Sequence, residues 1–136
     1  MVMDDDEDVV QVATLLLESL GFEVESARDG HAAAAVYQRA IDEGRRFEVV
    51  IMDLTIRGGL GGHEALDLLR EIDPEVRAIV SSGYSTSAIM SDYRSYGFAG
   101  VLAKPYRISE LEVVLNTVLQ GESSSAEVSS SPGPVR

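Results

Sequence analysis

Residues 47–54 read FEVVIMDL, and the four consecutive apolar residues 49–52 lead directly into Asp53. A run without polar alternation is typical of a strand that is covered on both faces, as strands are in parallel sheets. Four further apolar runs of strand length occur, at Met1–Met3, Phe22–Val24, Val76–Val80 and Phe98–Leu102. We therefore predict five buried strands, of which the third, Phe47–Met52, is the most central.

Segments with helical spacing alternate with these runs. The clearest stripe consists of Val9, Val12, Ala13, Leu16, Leu17 and Leu20, and Gly21 supplies a stop signal after it. Three more stripes lie within residues 32–41, 65–72 and 111–118, and a short, weak one lies within residues 88–93. We predict that Asp8 opens the first helix and that Ser109 caps the fifth. Five strands alternating with five helices predict one doubly wound α/β domain with a parallel sheet.

Composition limits the function classes. The chain has 136 residues and a net charge of −12, which argues against sequence-independent binding to nucleic acid or to anionic membranes. The absence of cysteine excludes disulfides, thiolate metal sites and cysteine nucleophiles. No membrane span or secretory signal is evident, so we expect a cytoplasmic protein. After Gln120 the composition shifts to Ser, Gly and Pro, which predicts a folded domain over 1–120 and a disordered tail over 121–136.

Polar residues that could form one site follow the predicted strands. They are Asp4–Asp8 after the first strand, Asp53 after the third, Ser81-Ser82-Gly83 after the fourth, and Lys104-Pro105 after the fifth. In doubly wound sheets, ligands bind outside the carboxyl ends of the strands. Carboxylates that share a cleft repel one another unless a cation lies between them, and a set of oxygen ligands indicates Mg²⁺ or Mn²⁺. Lys104, the only lysine, suits a phosphoryl group, and Ser82 offers a hydroxyl donor. The predicted chemistry is phosphoryl transfer onto a carboxylate.

The segments VMDDDE (2–7), VIMDL (50–54), SSG (81–83) and KP (104–105) resemble, in this order, the motifs of two-component response-regulator receiver domains. The stretches MDLT (52–55), GGLGG (58–62) and VSSGY (80–84) are most similar to the C-terminal receivers of hybrid histidine kinases. The overall resemblance to receiver domains covers residues 1–120. It implies a flavodoxin-like fold with strand order 2-1-3-4-5. It also implies a phosphoacceptor switch, not a turnover enzyme, whose partner is a histidine kinase or a histidine phosphotransfer domain.

The resemblance implies a role for each matching residue. Asp53 would be the phosphoacceptor, while Ser82 and Lys104 would contact the phosphoryl group. The expected Mg²⁺ ligands are Asp4, Asp5, Asp53 and the backbone carbonyl of Thr55. Two positions depart from the family pattern: Arg57 stands where receivers usually carry proline, and Val101 stands where many carry an aromatic residue that moves on activation.

Two other functions compete with the receiver interpretation. A metal-dependent phosphatase that forms an aspartyl phosphate needs a second acid two residues after the first, and Thr55 stands there. A nucleotide or flavin binder needs a glycine-rich loop after the first strand, where acidic residues stand instead.

Overall fold

The computed structural model describes residues 1–83 and 88–127 of the chain. Its elements in chain order are β1 (Val2–Met3), α1 (Glu7–Ser19), β2 (Ser26–Ala27), α2 (Gly30–Asp42), β3 (Val50–Asp53), α3 (Gly62–Ile72), β4 (Ala78–Ser82), α4 (Ala88–Ser91), β5 (Gly100–Ala103) and α5 (Ile108–Glu127). The strands form one parallel sheet in the order β2-β1-β3-β4-β5. The predicted fold class and strand order are confirmed.

Helices cover both faces of the sheet, which explains the continuous apolar run in β3. Val50 and Met52 point into a core with side chains from α2, α3 and α4, whereas Ile51 points into a second core with side chains from α1 and α5. All four β3 residues are buried. The absence of polar alternation in this strand therefore reflects burial on both sides, as the sequence predicts.

The second strand lies further along the chain than predicted. Phe22 belongs to the end of α1 because its amide donates to the carbonyl of Leu17 (3.1 Å) while the Gly21 amide donates to Glu18 (3.0 Å). With Gly21 at φ +96°, this is a Schellman ending, in which the residue after the glycine packs back on the helix. The prediction of a strand at Phe22–Val24 is wrong, and pairing with β1 occurs at Ser26–Ala27 instead.

Two predicted helix starts are also wrong by one or two residues. Asp6, and not Asp8, caps α1, since its carboxylate accepts hydrogen bonds from the amides of Asp8 (2.9 Å) and Val9 (3.3 Å). The fifth helix begins at Ile108, so Ser109 lies inside it. Glu110 reaches back to accept a hydrogen bond from the Arg107 amide at 2.8 Å, which satisfies a donor that the helix leaves free.

The backbone of α5 continues seven residues beyond the predicted domain end at 120, because Glu127 is its last helical residue. Residues 121–127 lack proline and contain serine, alanine and glutamate, which a helix accommodates at modest cost. The rest of the predicted tail, 128–136, lies outside the described residues.

The loop between β3 and α3 lies directly against the end of β3. The Gly62 amide donates to the Leu54 carbonyl at 3.2 Å. A Cβ atom at Gly61 would overlap that same carbonyl oxygen, and one at Gly62 would lie 3.0 Å from the carbonyl oxygen of Asp53. Glycine at 61 therefore allows the loop to pack on the backbone that carries Asp53.

Hydrogen bonds to the buried carboxylate of Asp73 link α2 to the end of α3. The Tyr37 hydroxyl, which is fully buried, donates to Asp73 Oδ2 at 2.7 Å. Arg46 donates to both oxygens of Asp73, at 2.8 and 3.1 Å. Burial alone would raise the pKa of Asp73, but the Tyr37 hydroxyl, the Glu75 amide and the Arg46 guanidinium together lower it below its ordinary value.

We expect Tyr37→Phe to lower the free energy of unfolding at pH 7 by about 1.5–3 kcal/mol, since it removes a hydrogen bond to a charged group. A lowered carboxyl pKa stabilises the fold above the unfolded-state pKa, about 3.9, and this contribution is lost as pH falls through the folded-state value. The difference between wild type and variant in urea unfolding should therefore shrink below pH ~4. A difference that is equal at pH 7 and pH 3 would contradict an ionised Asp73 as the acceptor.

Candidate functional site

The residues predicted to form one site line one cleft at the carboxyl ends of the strands. The cleft has a volume of about 510 Å³, and it is lined by Asp4, Asp5, Asp6, Asp53, Thr55, Arg57, Ser82, Gly83 and Lys104. Asp53 is the last residue of β3, and the neighbouring strands place Asp4 after β1 and Lys104 after β5. Residues up to 100 positions apart therefore meet because parallel strands end at the same edge of the sheet.

Lys104 places a positive charge in the cleft beside two of its carboxylates. Its Nζ lies 2.7 Å from Asp4 Oδ2 and 3.1 Å from Asp53 Oδ1, and its side chain is only 18% exposed. Its backbone amide donates to the Ser82 carbonyl at 2.9 Å, which fixes the base of the side chain to β4. One ammonium group thus contacts the carboxylates that follow β1 and end β3.

Three carboxylates are close enough to share a metal ion. One oxygen from each of Asp4, Asp5 and Asp53 lies within 4.8 Å of the others. Asp4 and Asp53 are buried, whereas Asp5 is partly exposed. Three carboxylate oxygens without nitrogen or sulfur donors fit a hard divalent ion such as Mg²⁺. The donor set therefore fits the metal that the resemblance implies.

Burial and neighbouring charges change the acidity of these groups. Burial first, and then the negative charge of Asp4, raise the pKa of Asp53 above its ordinary value, although Lys104 opposes this rise. Burial alone would lower the pKa of Lys104, but the hydrogen bond to Asp4 and the charges of both carboxylates raise it. Because its pKa is raised, Lys104 is charged at neutral pH. Burial, together with the charges of Asp4 and Asp53, also raises the pKa of Tyr106 to about 12.

Asp6 and Arg57 also line the cleft, although neither is an expected metal ligand or phosphoryl contact. Asp6 turns its carboxylate to the first amides of α1, which makes it a helix cap. The Arg57 amide donates to Asp5 Oδ2 at 3.4 Å, so the loop after β3 contacts one of the clustered acids. The departure of Arg57 from the family's proline is visible in the sequence, but its proximity to Asp5 depends on the course of the loop.

A five-stranded parallel α/β domain with clustered acids and a lysine at the carboxyl ends of its strands has the architecture of phosphoryl-accepting signalling domains. The chain belongs to the response regulator receiver domain family, whose family model matches residues 1–116. Receiver domains act in two-component phosphorelay signalling, and the comparisons support this function and not the phosphatase alternative. In the described part of the chain, no helix is both long and apolar enough to span a bilayer.

Relatives include both response regulators and sensor kinases. Over 121 residues the chain is 26% identical to the nitrogen assimilation regulatory protein NtrX of Azorhizobium caulinodans. The matched region covers 88% of this chain and 26% of that protein. Over 111 residues it is 32% identical to the sensor histidine kinase AruS of Pseudomonas aeruginosa. This matched region covers 79% of this chain and 11% of that kinase. The chain thus spans about a quarter or less of these two curated relatives.

The fold matches that of solved receiver domains. One is the receiver domain of a sensor histidine kinase from Pseudomonas aeruginosa PAO1, solved with a magnesium ion coordinated in the active site cleft. It matches with a TM-score of 0.75 at 23% sequence identity, over 88% of this chain and 95% of that one. At this identity the match supports the fold alone.

Proposed function

We propose that Asp53 accepts a phosphoryl group from the phosphohistidine of a histidine kinase or a histidine phosphotransfer domain. The observation that carries this proposal is the contact of Lys104 Nζ with Asp53 Oδ1 at 3.1 Å, beside a cluster of acids that fits a divalent ion. The working unit is the domain over residues 1–120, and its location is the cytoplasm, as expected from the composition.

The transfer exchanges one bond to phosphorus for another. An Asp53 carboxylate oxygen forms the new bond to phosphorus while the bond between phosphorus and the donor imidazole nitrogen breaks. The donor nitrogen keeps the electron pair of that bond. Lys104 carries a fixed positive charge beside Asp53, where it stabilises the negative charge on the oxygens of the transferred group. Ser82, which lines the same cleft, supplies a hydroxyl donor to one of those oxygens.

Asp4, Asp5, Asp53 and the backbone carbonyl of Thr55 would hold Mg²⁺, and Mn²⁺ suits the same oxygen ligands. The bound ion would neutralise the clustered carboxylates and the charge of the incoming phosphoryl group. Thr55 lines the cleft two residues after Asp53, which supports its carbonyl as a ligand. Since Thr55 has no carboxylate to act as a general acid or base, we propose a phosphoacceptor switch and not a phosphatase with turnover.

Acetyl phosphate and Mg²⁺, followed by intact mass measurement, test this function. The full chain should gain one phosphoryl mass, and the gain should be stoichiometric and dependent on Mg²⁺. A phosphorylated histidine phosphotransfer domain should then label the chain in the same way. Catalytic release of phosphate from unrelated phosphate esters, without a labelled protein, would overturn the proposal in favour of the phosphatase.

We expect Mg²⁺ to raise the melting temperature and Asp5→Asn to melt higher than wild type when no metal is present. Three acids and one lysine leave the cluster with a net negative charge, so its carboxylates repel one another. If the dissociation constant is on the order of 1 mM, ~10 mM Mg²⁺ stabilises the fold by about 1.4 kcal/mol. For a domain of this size, that is roughly a 4–6 °C rise. Asp5→Asn should gain much less from the ion.

Asp67→Asn is the matched control for this measurement, because it removes one exposed carboxylate from α3, away from the cluster. Its response to Mg²⁺ in thermal melts should equal that of wild type. If Mg²⁺ raises the melting temperature of Asp5→Asn as much as that of wild type, Asp5 does not bind the ion.

A further inference from the structure

A second polar cleft lies at the opposite end of the sheet, near the amino ends of β4 and β5. Its volume is about 620 Å³, within the range of small-molecule sites. Four arginines line it: Arg46, Arg70, Arg77 and Arg94. They come from four separate segments, and they gather in a chain whose net charge is −12. The arginines in this cleft therefore carry the opposite sign to the net charge of the chain.

Three of these arginines have no acidic partner in the described part of the chain. Arg46 is committed to Asp73 and to Glu75, at 2.8 and 3.3 Å. No carboxylate among residues 1–83 and 88–127 lies within 4.0 Å of the side-chain nitrogens of Arg70, Arg77 or Arg94. Arg77 is also partly buried. Like charges that line one cleft raise the local concentration of an oppositely charged ligand there.

Arg70 and Arg94 contact neighbours that are not acidic, so these contacts do not neutralise their positive charge. The Arg70 guanidinium lies over Gly97, where a Cβ would stand 2.7 Å from one of its terminal nitrogens. A side chain at Gly97 is therefore disfavoured by the contact with Arg70 and also by the backbone, which has φ +97°. The central carbon of the Arg94 guanidinium lies 5.4 Å from the centre of the Tyr93 ring, a cation–π contact.

We propose that this cleft binds a small organic phosphate that carries at least two negative charges, of the nucleoside polyphosphate class. Arginine's planar fork matches phosphate oxygens, and a polyphosphate supplies enough charge for three guanidinium groups within a few atoms. Pro74, which is exposed, and Val76, which is partly exposed, add apolar surface to the cleft, which suits the organic part of such a ligand. The proposal is independent of phosphorylation at Asp53.

The test is titration of the full chain with ATP and with inorganic tripolyphosphate, followed by calorimetry and by amide chemical shifts. Metal is removed with EDTA so that the acidic cleft, which is then net negative, repels both probes. We expect saturable binding of ATP and shifts confined to residues near Gly97 and Arg77. Arg70→Gln and Arg77→Gln should each weaken binding by about tenfold or more, as loss of a charged hydrogen bond predicts.

Arg39→Gln is the matched control, because it removes the same charge from an exposed arginine that pairs with Glu25 at 3.1 Å. It should leave the affinity unchanged, and circular dichroism should show that every variant is folded. Should one cleft variant fail to fold, Arg94→Gln replaces it, since Arg94 is exposed.

Each remaining outcome has a defined meaning. Tighter binding of ATP than of tripolyphosphate supports the proposed nucleotide, whereas equal or tighter binding of tripolyphosphate overturns the organic part of the proposal. Absence of binding up to ~5 mM ligand overturns the proposal, since that affinity is too weak for a built site. Equal weakening by Arg39→Gln, or tighter binding of a hexaglutamate peptide than of tripolyphosphate, overturns it as well.

Discussion

Asp53→Asn is expected to abolish labelling by acetyl phosphate and Mg²⁺, so that the intact mass of the variant does not change under conditions that label wild type. An amide oxygen is a far poorer nucleophile than a carboxylate, and it cannot form the acyl phosphate. Asp53 is the only acid of the cluster that also ends the central strand and contacts Lys104 from there. We therefore expect a complete loss and not a graded one.

The control for this loss is Asp6→Asn, which changes an acid that lines the same cleft but serves as the cap of α1. It should be labelled to the same extent as wild type, because asparagine also caps helices well. Labelling of Asp53→Asn at a second residue, located by peptide mapping, would show that another group is the acceptor.

Lys104→Ala should produce the largest change in stability. A lysine that is exposed at a strand end contributes little to stability. Lys104, in contrast, is only 18% exposed and contacts two buried carboxylates. Its removal leaves Asp4 and Asp53 to repel each other, so we expect a loss of about 2–3 kcal/mol in urea unfolding without metal.

A double-mutant cycle with Asp53→Asn identifies the origin of that loss. In the Asp53→Asn background there is one carboxylate fewer to repel, so Lys104→Ala should cost clearly less than in wild type. Equal costs in both backgrounds would mean that the lysine acts through packing alone. Lys104→Arg should keep most of the stability but reduce labelling, because a planar guanidinium does not replace a compact ammonium.

The carboxyl ends of the strands at the site could be predicted from the sequence because each buried apolar run is followed directly by polar residues. The apolar run before Asp53 is covered on both faces, so it identifies a central strand and its carboxyl end at once. Phe22 misled the prediction because its apolar side chain belongs to a helix ending, and the Schellman hydrogen bonds that show this are not written in hydropathy.

Other features depend on contacts between distant segments. Lys104 was expected beside the phosphoryl group, but its simultaneous contact with Asp4 and Asp53 depends on side-chain geometry at three strand ends. The arginine cleft has no sequence signal at all, since its four residues lie in separate segments without a shared motif. Only the fold brings them together.

The close packing of Gly61 on Leu54 has a consequence for which sequences this domain can explore. A Cβ at Gly61 would overlap the Leu54 carbonyl oxygen, whereas a Cβ at Gly83 would meet nothing within 4 Å among residues 1–83 and 88–127. In a saturation library selected for signalling, codon 61 should therefore return almost only glycine, while codon 83 should accept alanine and serine freely. These two glycines would thus differ sharply in their tolerance of substitution.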